Sequence, residues 1–264
     1  EANTEYFNAG MNSSMLKGAQ LSGGSRAVEL GLITLKGTKS LANIMFILGL
    51  LTAAGILFTS YINTGSTSNA YYSSIIALIG VLIGYFYTAK PIRLSSRYGL
   101  GEISIFLAFG PLLTLGTGYA ISMETIIPYS NEFYNLLLLG VPIGILTTNI
   151  LFINQFPDYT SDKKVGKNHL VVLLGKKASR WVYALNLALA VGSLYFISEN
   201  LINDTQAMLF MYLLIPVTMF YSYYLISGLF KYYKSRDLIK YNIHTIYFHM
   251  IFSFIYMIIL ANFQ

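Results

Sequence analysis

Every lysine and arginine of this chain falls in one of four stretches, and these alternate along the sequence with connections that hold none. Lys17, Arg26, Lys36 and Lys39 precede a first apolar segment, and INTGSTSNA follows it without a cation. Lys90, Arg93 and Arg97 come next, and after them a connection whose charges are Glu124 and Glu132. Lys163, Lys164, Lys167, Lys176, Lys177 and Arg180 form the third group, Glu199 and Asp204 the next interruption, and Lys231, Lys234, Arg236 and Lys240 complete the 17. Cations sorted in this way mark the two sides of a bilayer, because basic connections are retained on the cytoplasmic face. The apolar runs lie near 41–61, 72–88, 102–122, 134–155, 180–198, 206–227 and 243–262. Each approaches the ~20 residues that a helix needs to cross the hydrocarbon core.

These runs predict an all-α, polytopic membrane helical bundle of seven complete spans, forming a single domain over residues 1–264 with its basic face toward the cytoplasm. Composition agrees, since 55% of the residues are hydrophobic and 11% charged, against about 25% charged in soluble domains. The formal charge of +6 is accounted for by topology and by contact with anionic lipid, so no nucleic-acid partner is expected. The chain has no cysteine, which excludes disulfides and thiolate metal sites.

Topology does not explain why acids share the basic face. In INQFPDYTSDKKVGKNHL, residues 153–170, Asn154, Asp158 and Asp162 are spaced four apart. On a continuing helix they form one stripe that drifts about 40° per step. Carboxylates so placed repel one another unless a hard divalent cation lies between them and a phosphate, and magnesium usually takes one or two carboxylates plus phosphate oxygens. Solvated charges at a helix end are the plainer alternative. Pro157 is expected to kink or end the helix at Phe156. A second constellation, YTAKPIRLSSRYGLGE over 87–102, offers Tyr87, Lys90, Arg93 and Arg97 in a turn-rich connection, where cations and a hydroxyl can hold a diphosphate. A third, at the N-terminus, places Glu5, Asn8 and Asn12 at helical spacing. Asn8 and Asp158, like Asn12 and Asp162, are 150 positions apart, which reads as a weak internal duplication. His244 and His249 do not share a helical face closely, so packing or interior hydrogen bonds are expected of them rather than a metal. Tyrosines such as those of YSYYL, 221–225, read as interface belt or bundle packing.

Taken together these stretches resemble the UbiA superfamily of intramembrane aromatic prenyltransferases, and within it the branch that prenylates 1,4-dihydroxy-2-naphthoate on the way to menaquinone. The resemblance is carried by Asn154-Gln-Phe-Pro-Asp158-Tyr-Thr-Ser-Asp162 with the following GKNHLVVLLG, by SGGSRAVELGLIT at 22–34, and by YTAKPIRLSSRYGLGEISIFLAFGP at 87–111. It implies a bundle of about nine spans, of which the seven segments here correspond to the third through ninth. The chain is therefore expected to lack the first helix and most of the second. It also implies two metal-binding motifs. Where the family's first motif is acidic, this chain has Thr4-Glu5-Tyr6-Phe7-Asn8-Ala9-Gly10-Met11-Asn12, with a single carboxylate, so weakened metal affinity is expected there.

By resemblance, Asn154, Asp158 and Asp162 serve Mg2+, with Glu5, Asn8 and Asn12 as the weaker set. Arg26, Lys90, Arg93, Arg97 and Lys167 hold the diphosphate, and Tyr87, Lys90 and Arg93 take part in its departure. The implied substrates are an isoprenyl diphosphate and a small aromatic acceptor, joined at the bilayer. Related acceptors (4-hydroxybenzoate, a glycerol phosphate ether lipid or haem) and a non-catalytic homologue remain as alternatives. A transporter is disfavoured, because the acids cluster at one surface and not at mid-membrane.

Overall fold

The computed structural model describes residues 31–262. Glu5, Asn8, Asn12 and Arg26, and with them the first half of the proposed duplication, lie outside the described residues. Among the described residues there are nine α-helices and one 3₁₀ turn, and no strand beyond an isolated bridge. In chain order the helices are α1 (Leu35–Thr64), α2 (Thr67–Thr88), α3 (Leu100–Phe109), α4 (Pro111–Ile121), α5 (Asn131–Leu139), α6 (Val141–Lys164), α7 (Leu170–Asn200), α8 (Thr205–Tyr232) and α9 (Leu238–Asn262), with the 3₁₀ turn Leu94–Ser96 between α2 and α3. They make seven segments long and apolar enough to cross a membrane, as the alternating charge pattern predicts.

Several helices start where the sequence offers a side-chain cap. Thr34 accepts from Gly37 N at 3.0 Å, Ser66 from Ser68 N at 3.1 Å, Ser130 from Phe133 N at 3.3 Å and Asp204 from Ala207 N at 2.7 Å. Each satisfies a backbone donor that the first helical turn leaves open, an effect of about 1 kcal/mol.

Two of the seven segments are not single helices. The third breaks at Gly110 into α3 and α4, and the fourth at Gly140 into α5 and α6. Both breaks are followed by a proline in the first turn of the next helix, Pro111 and Pro142, where its missing N–H costs nothing. The breaks face each other, backbone against backbone. A Cβ on Gly110 would lie 2.7 Å from Gly140 O and 2.8 Å from Gly144 Cα, and one on Gly144 2.6 Å from Phe106 O. Small residues permit this approach, as they do between membrane helices generally.

The main core joins α6 through α9, with Phe152, Ile153, Phe156, Tyr183, Leu194, Met211 and Leu225 fully buried. A smaller cluster around Leu115, Tyr119 and Ile126 ties α4 and the following connection to Tyr72 and Ile76 of α2. By contrast α1 buries only Ser60, whose hydroxyl reaches Tyr119 O at 3.4 Å; its apolar surface suits lipid. Interior polar groups bridge helices: Asn186 Nδ2 donates to Asn149 Oδ1 at 2.9 Å, and Tyr183 Oη lies 2.8 Å from Thr245 Oγ1. The two histidines of α9 do the same separately, His244 with Tyr221 Oη at 2.8 Å and His249 with Thr147 Oγ1 at 2.9 Å, as expected from their spacing. Tyr221 stacks on Phe248 at 5.0 Å, whereas Tyr223 is exposed, so the YSYYL stretch divides between packing and periphery.

Candidate active site

Pro157 does not end α6. The helix runs through it to Lys164, so of the two outcomes expected at Phe156, a kink or an end, the end does not occur. The missing amide of Pro157 costs one backbone bond, but Phe152, Ile153 and Phe156 just before it are fully buried and anchor the preceding turn. As a result Asn154, Asp158 and Asp162 do lie one turn apart along one continuous helix, as the stripe requires.

The helix stops instead at Gly166. This residue has φ 72°, Gly166 N donates to Lys163 O at 3.3 Å and Lys167 N to Asp162 O at 2.9 Å, which together form a Schellman motif. The motif folds the chain back so that Lys167 stands over Asp162, and its Nζ is 2.9 Å from Asp162 Oδ2. His169 Nε2 approaches the same oxygen at 3.0 Å. His169 is buried and caps α7, its Nδ1 accepting from Val172 N at 3.3 Å. Six residues beyond His169, α7 bends at Gly175 (φ 76°, ψ 153°), a conformation that suits glycine. The next residue, Lys176, feels the charge of Asp158 and, like Lys163, lies over the Tyr159 ring, at 5.7 and 5.8 Å respectively. Asn154 faces the bundle interior, its Oδ1 accepting from Asn242 Nδ2 of α9 at 2.9 Å.

The second constellation is held beside the first through backbone. Arg97 and Asn168 form a parallel bridge, in which Tyr98 N donates to Asn168 O at 2.8 Å and Asn168 N to Ser96 O at 3.3 Å. Gly101 allows α3 to press on the 3₁₀ turn, since a Cβ there would lie 2.9 Å from Ser95 Cα. Arg97 spends its guanidinium locally, on Ile92 O and Pro91 O at 2.9 Å each. Lys90 and Arg93 are exposed, on either side of Pro91, whose peptide bond to Lys90 is cis. Tyr87 is half-buried at the end of α2 and feels the charge of Glu102.

Glu102 was not singled out from the sequence, and it is a central support of the site. It is 4% exposed, and its Oε1 accepts from Gln155 Nε2 of α6 at 2.9 Å and from Leu170 N, the first residue of α7, at 3.0 Å. One carboxylate thereby joins α3, α6 and α7 beneath the two loops. A charge at a membrane-helix end inside the motif YGLGE was the available signal. His169 was missed for a different reason: nothing in GKNHL distinguishes a capping histidine from a surface one.

Glu102 also lies at one end of a cavity of about 750 Å3 between α3, α6 and α7, lined by Phe106, Ile145, Phe152, Leu189 and Phe196 among others. Its lining suits a hydrocarbon chain.

Among the described residues no group of three His, Asp or Glu side chains converges as a complete metal cage. The donor set nonetheless fits magnesium, which needs only one or two hard carboxylates when phosphate oxygens supply the rest. Asp158 and Asp162 are the two carboxylates that could supply them, and both side-chain contacts to Asp162 fall on Oδ2.

Comparison with known proteins identifies the family. The family model described as the UbiA prenyltransferase family matches residues 25–256. A 2-carboxy-1,4-naphthoquinone phytyltransferase from Synechocystis is 38% identical over 127 residues, 47% of this chain and 38% of the relative. A 1,4-dihydroxy-2-naphthoate octaprenyltransferase from Escherichia coli is 40% identical over 96 residues, 36% of this chain and 28% of the relative. That of Haemophilus influenzae is 28% identical over 165 residues, 62% of this chain and 50% of the relative. The chain thus matches half or less of the length of these relatives. No solved structure matches it significantly. The seven-segment bundle, the acidic stripe at the end of α6 and the family match over most of the chain lead to one conclusion: the chain belongs to the UbiA prenyltransferase family.

Proposed function

We propose that this protein transfers a polyprenyl group from an isoprenyl diphosphate to a small aromatic acceptor, 1,4-dihydroxy-2-naphthoate, in menaquinone biosynthesis. The observation that carries the reading is the Asn154, Asp158, Asp162 stripe on an unbroken α6, ending in a loop that returns Lys167 and His169 onto Asp162. The names of the similar proteins support the choice of acceptor.

Asp158 and Asp162, with Asn154 behind them, would hold Mg2+, and Glu5, Asn8 and Asn12 would form the weaker partner set. Magnesium, when bound, neutralises charge on the diphosphate and so eases its departure. Lys90 and Arg93, exposed beside the acidic loop, would bind the diphosphate oxygens, together with Arg26 and with Lys167 once it turns from Asp162. The Tyr87 hydroxyl would donate to the leaving group. Arg97 contributes at one remove, by fixing the carbonyls of the loop that carries Lys90 and Arg93. Fixed donors aimed at the departing charge are where such a site contributes most to rate. The allylic cation formed as the C–O bond breaks, its electron pair leaving with the diphosphate, requires protection from water, which an apolar bundle provides; the electron-rich ring then attacks it, and the carboxyl group departs as carbon dioxide to restore aromaticity. The basic connections support a cytoplasmic orientation for this surface.

The test is prenylation in membranes supplied with Mg2+, 1,4-dihydroxy-2-naphthoate and prenyl diphosphates of several lengths, with product identified by mass spectrometry. Prenylated product is expected, and Asp158→Ala should lower its rate at least ~100-fold. Product with 4-hydroxybenzoate and none with the naphthoate would overturn the acceptor assignment. Absence of product from folded protein with every acceptor would overturn the activity.

A further inference from the structure

We propose that His169 is a positioning residue for Asp162, and that its capping of α7 is what sets it in that role. The inference rests on the reading of Asp162 as a metal ligand. Histidine is not among the favoured N-cap residues, which are Ser, Thr, Asp and Asn, yet His169 occupies that position with φ −74° and ψ 170°. Its side chain is fully buried, and Nδ1 accepts the Val172 amide at 3.3 Å. A nitrogen that accepts from an amide N–H carries a lone pair, so the ring proton resides on Nε2. Nε2 is the atom 3.0 Å from Asp162 Oδ2. The cap therefore selects the tautomer that donates to the carboxylate.

The usual capping residues would satisfy the Val172 amide equally well, but their side chains are too short to span from the start of α7 to the last turn of α6. The imidazole does both, and this second contact accounts for its presence. The start of α7 is itself fixed, because the Leu170 amide is held by Glu102 Oε1 at 3.0 Å. The imidazole is thus a rigid strut between a pinned helix start and the carboxylate. The Nε2 contact holds Oδ2 whether Lys167 Nζ stays on the same oxygen, at 2.9 Å here, or turns to the diphosphate, and it leaves Oδ1 of the carboxylate for a cation. Groups that orient a metal ligand in this way typically contribute 10–100-fold in metal affinity.

The experiment separates capping from positioning. His169→Thr and His169→Asn keep a capping oxygen and lose the reach to Asp162. Binding of Mn2+ in the presence of inorganic diphosphate is followed by electron paramagnetic resonance on the purified full chain, alongside thermal denaturation without metal. Both variants are expected to melt close to the unmodified protein and to bind Mn2+ about 10–100-fold more weakly, whereas Asp162→Asn should abolish the Asp162-dependent binding. If Asp162→Asn loses binding while both capping variants bind like the unmodified protein, His169 is only a cap and the proposal fails. If Asp162→Asn binds like the unmodified protein, the metal reading of Asp162 fails, and the positioning role with it.

Discussion

The two loops of the charged surface solve opposite problems. The acidic one, 158–169, arrives with its charge already answered: Asp162 is held by a lysine and a histidine from its own loop. The basic one, 87–102, is fixed almost wholly through backbone, by an inward-folded Arg97, a 3₁₀ turn and a two-bond bridge, while Lys90 and Arg93 stay exposed. The difference follows from desolvation. A carboxylate at the end of a membrane-embedded helix is costly without partners, whereas long cationic side chains at the interface remain hydrated at little cost. One loop therefore has its geometry built into its side chains, and the other only into its fold.

If that contrast is right, the largest loss of stability should come from the group that supports both loops from below. Glu102→Ala strips the acceptor from the Leu170 amide and from Gln155, and should cost roughly 2–4 kcal/mol for two buried bonds, measured by denaturation in detergent. An unchanged midpoint would break the assignment of Glu102 as the common support. Next in size is Gly140→Ala, whose methyl would lie 2.6 Å from Gly110 C and O. Overpacking of this kind costs about 1–3 kcal/mol, and the loss should appear in the same assay without any change in the metal dependence proposed for the site. The smallest effect on stability, and the sharpest on the comparison, belongs to Lys90→Ala combined with Arg93→Ala. It should leave stability within about 0.5 kcal/mol and raise KM for the prenyl diphosphate roughly tenfold. A comparable drop in stability would show that these cations are structural after all.

The sequence was most informative where one force acted alone. Hydrophobic length and loop charge placed all seven segments, because nothing competes with the bilayer in setting them. The stripe was legible because a four-residue spacing has one meaning on a helix. Pro157 does not end the helix, since its local cost is outweighed by the burial of Phe152, Ile153 and Phe156 around it. The breaks at Gly110 and Gly140 went unread although each carries its own signal, a glycine followed within two residues by proline; within a long apolar run, hydropathy masks it. Glu102 and His169 were the hardest to see. Their importance lies in partners 53 and 68 residues away for Glu102 and in a choice of ring nitrogen for His169, and neither is a property of local sequence.

The bridge between Arg97 and Asn168 has a consequence for how this surface tolerates change. Two loops from distant parts of the chain are locked in parallel by the Tyr98 and Asn168 amides, so their lengths are mutually gauged. Substitutions can accumulate at Lys164 and Val165, which are exposed. A single inserted or deleted residue between Asp162 and Asn168 would instead slide one loop along the other, carrying Lys167 off its carboxylate and the bridge out of register together. The segment behaves as a ruler: its letters can be rewritten, but its length is fixed.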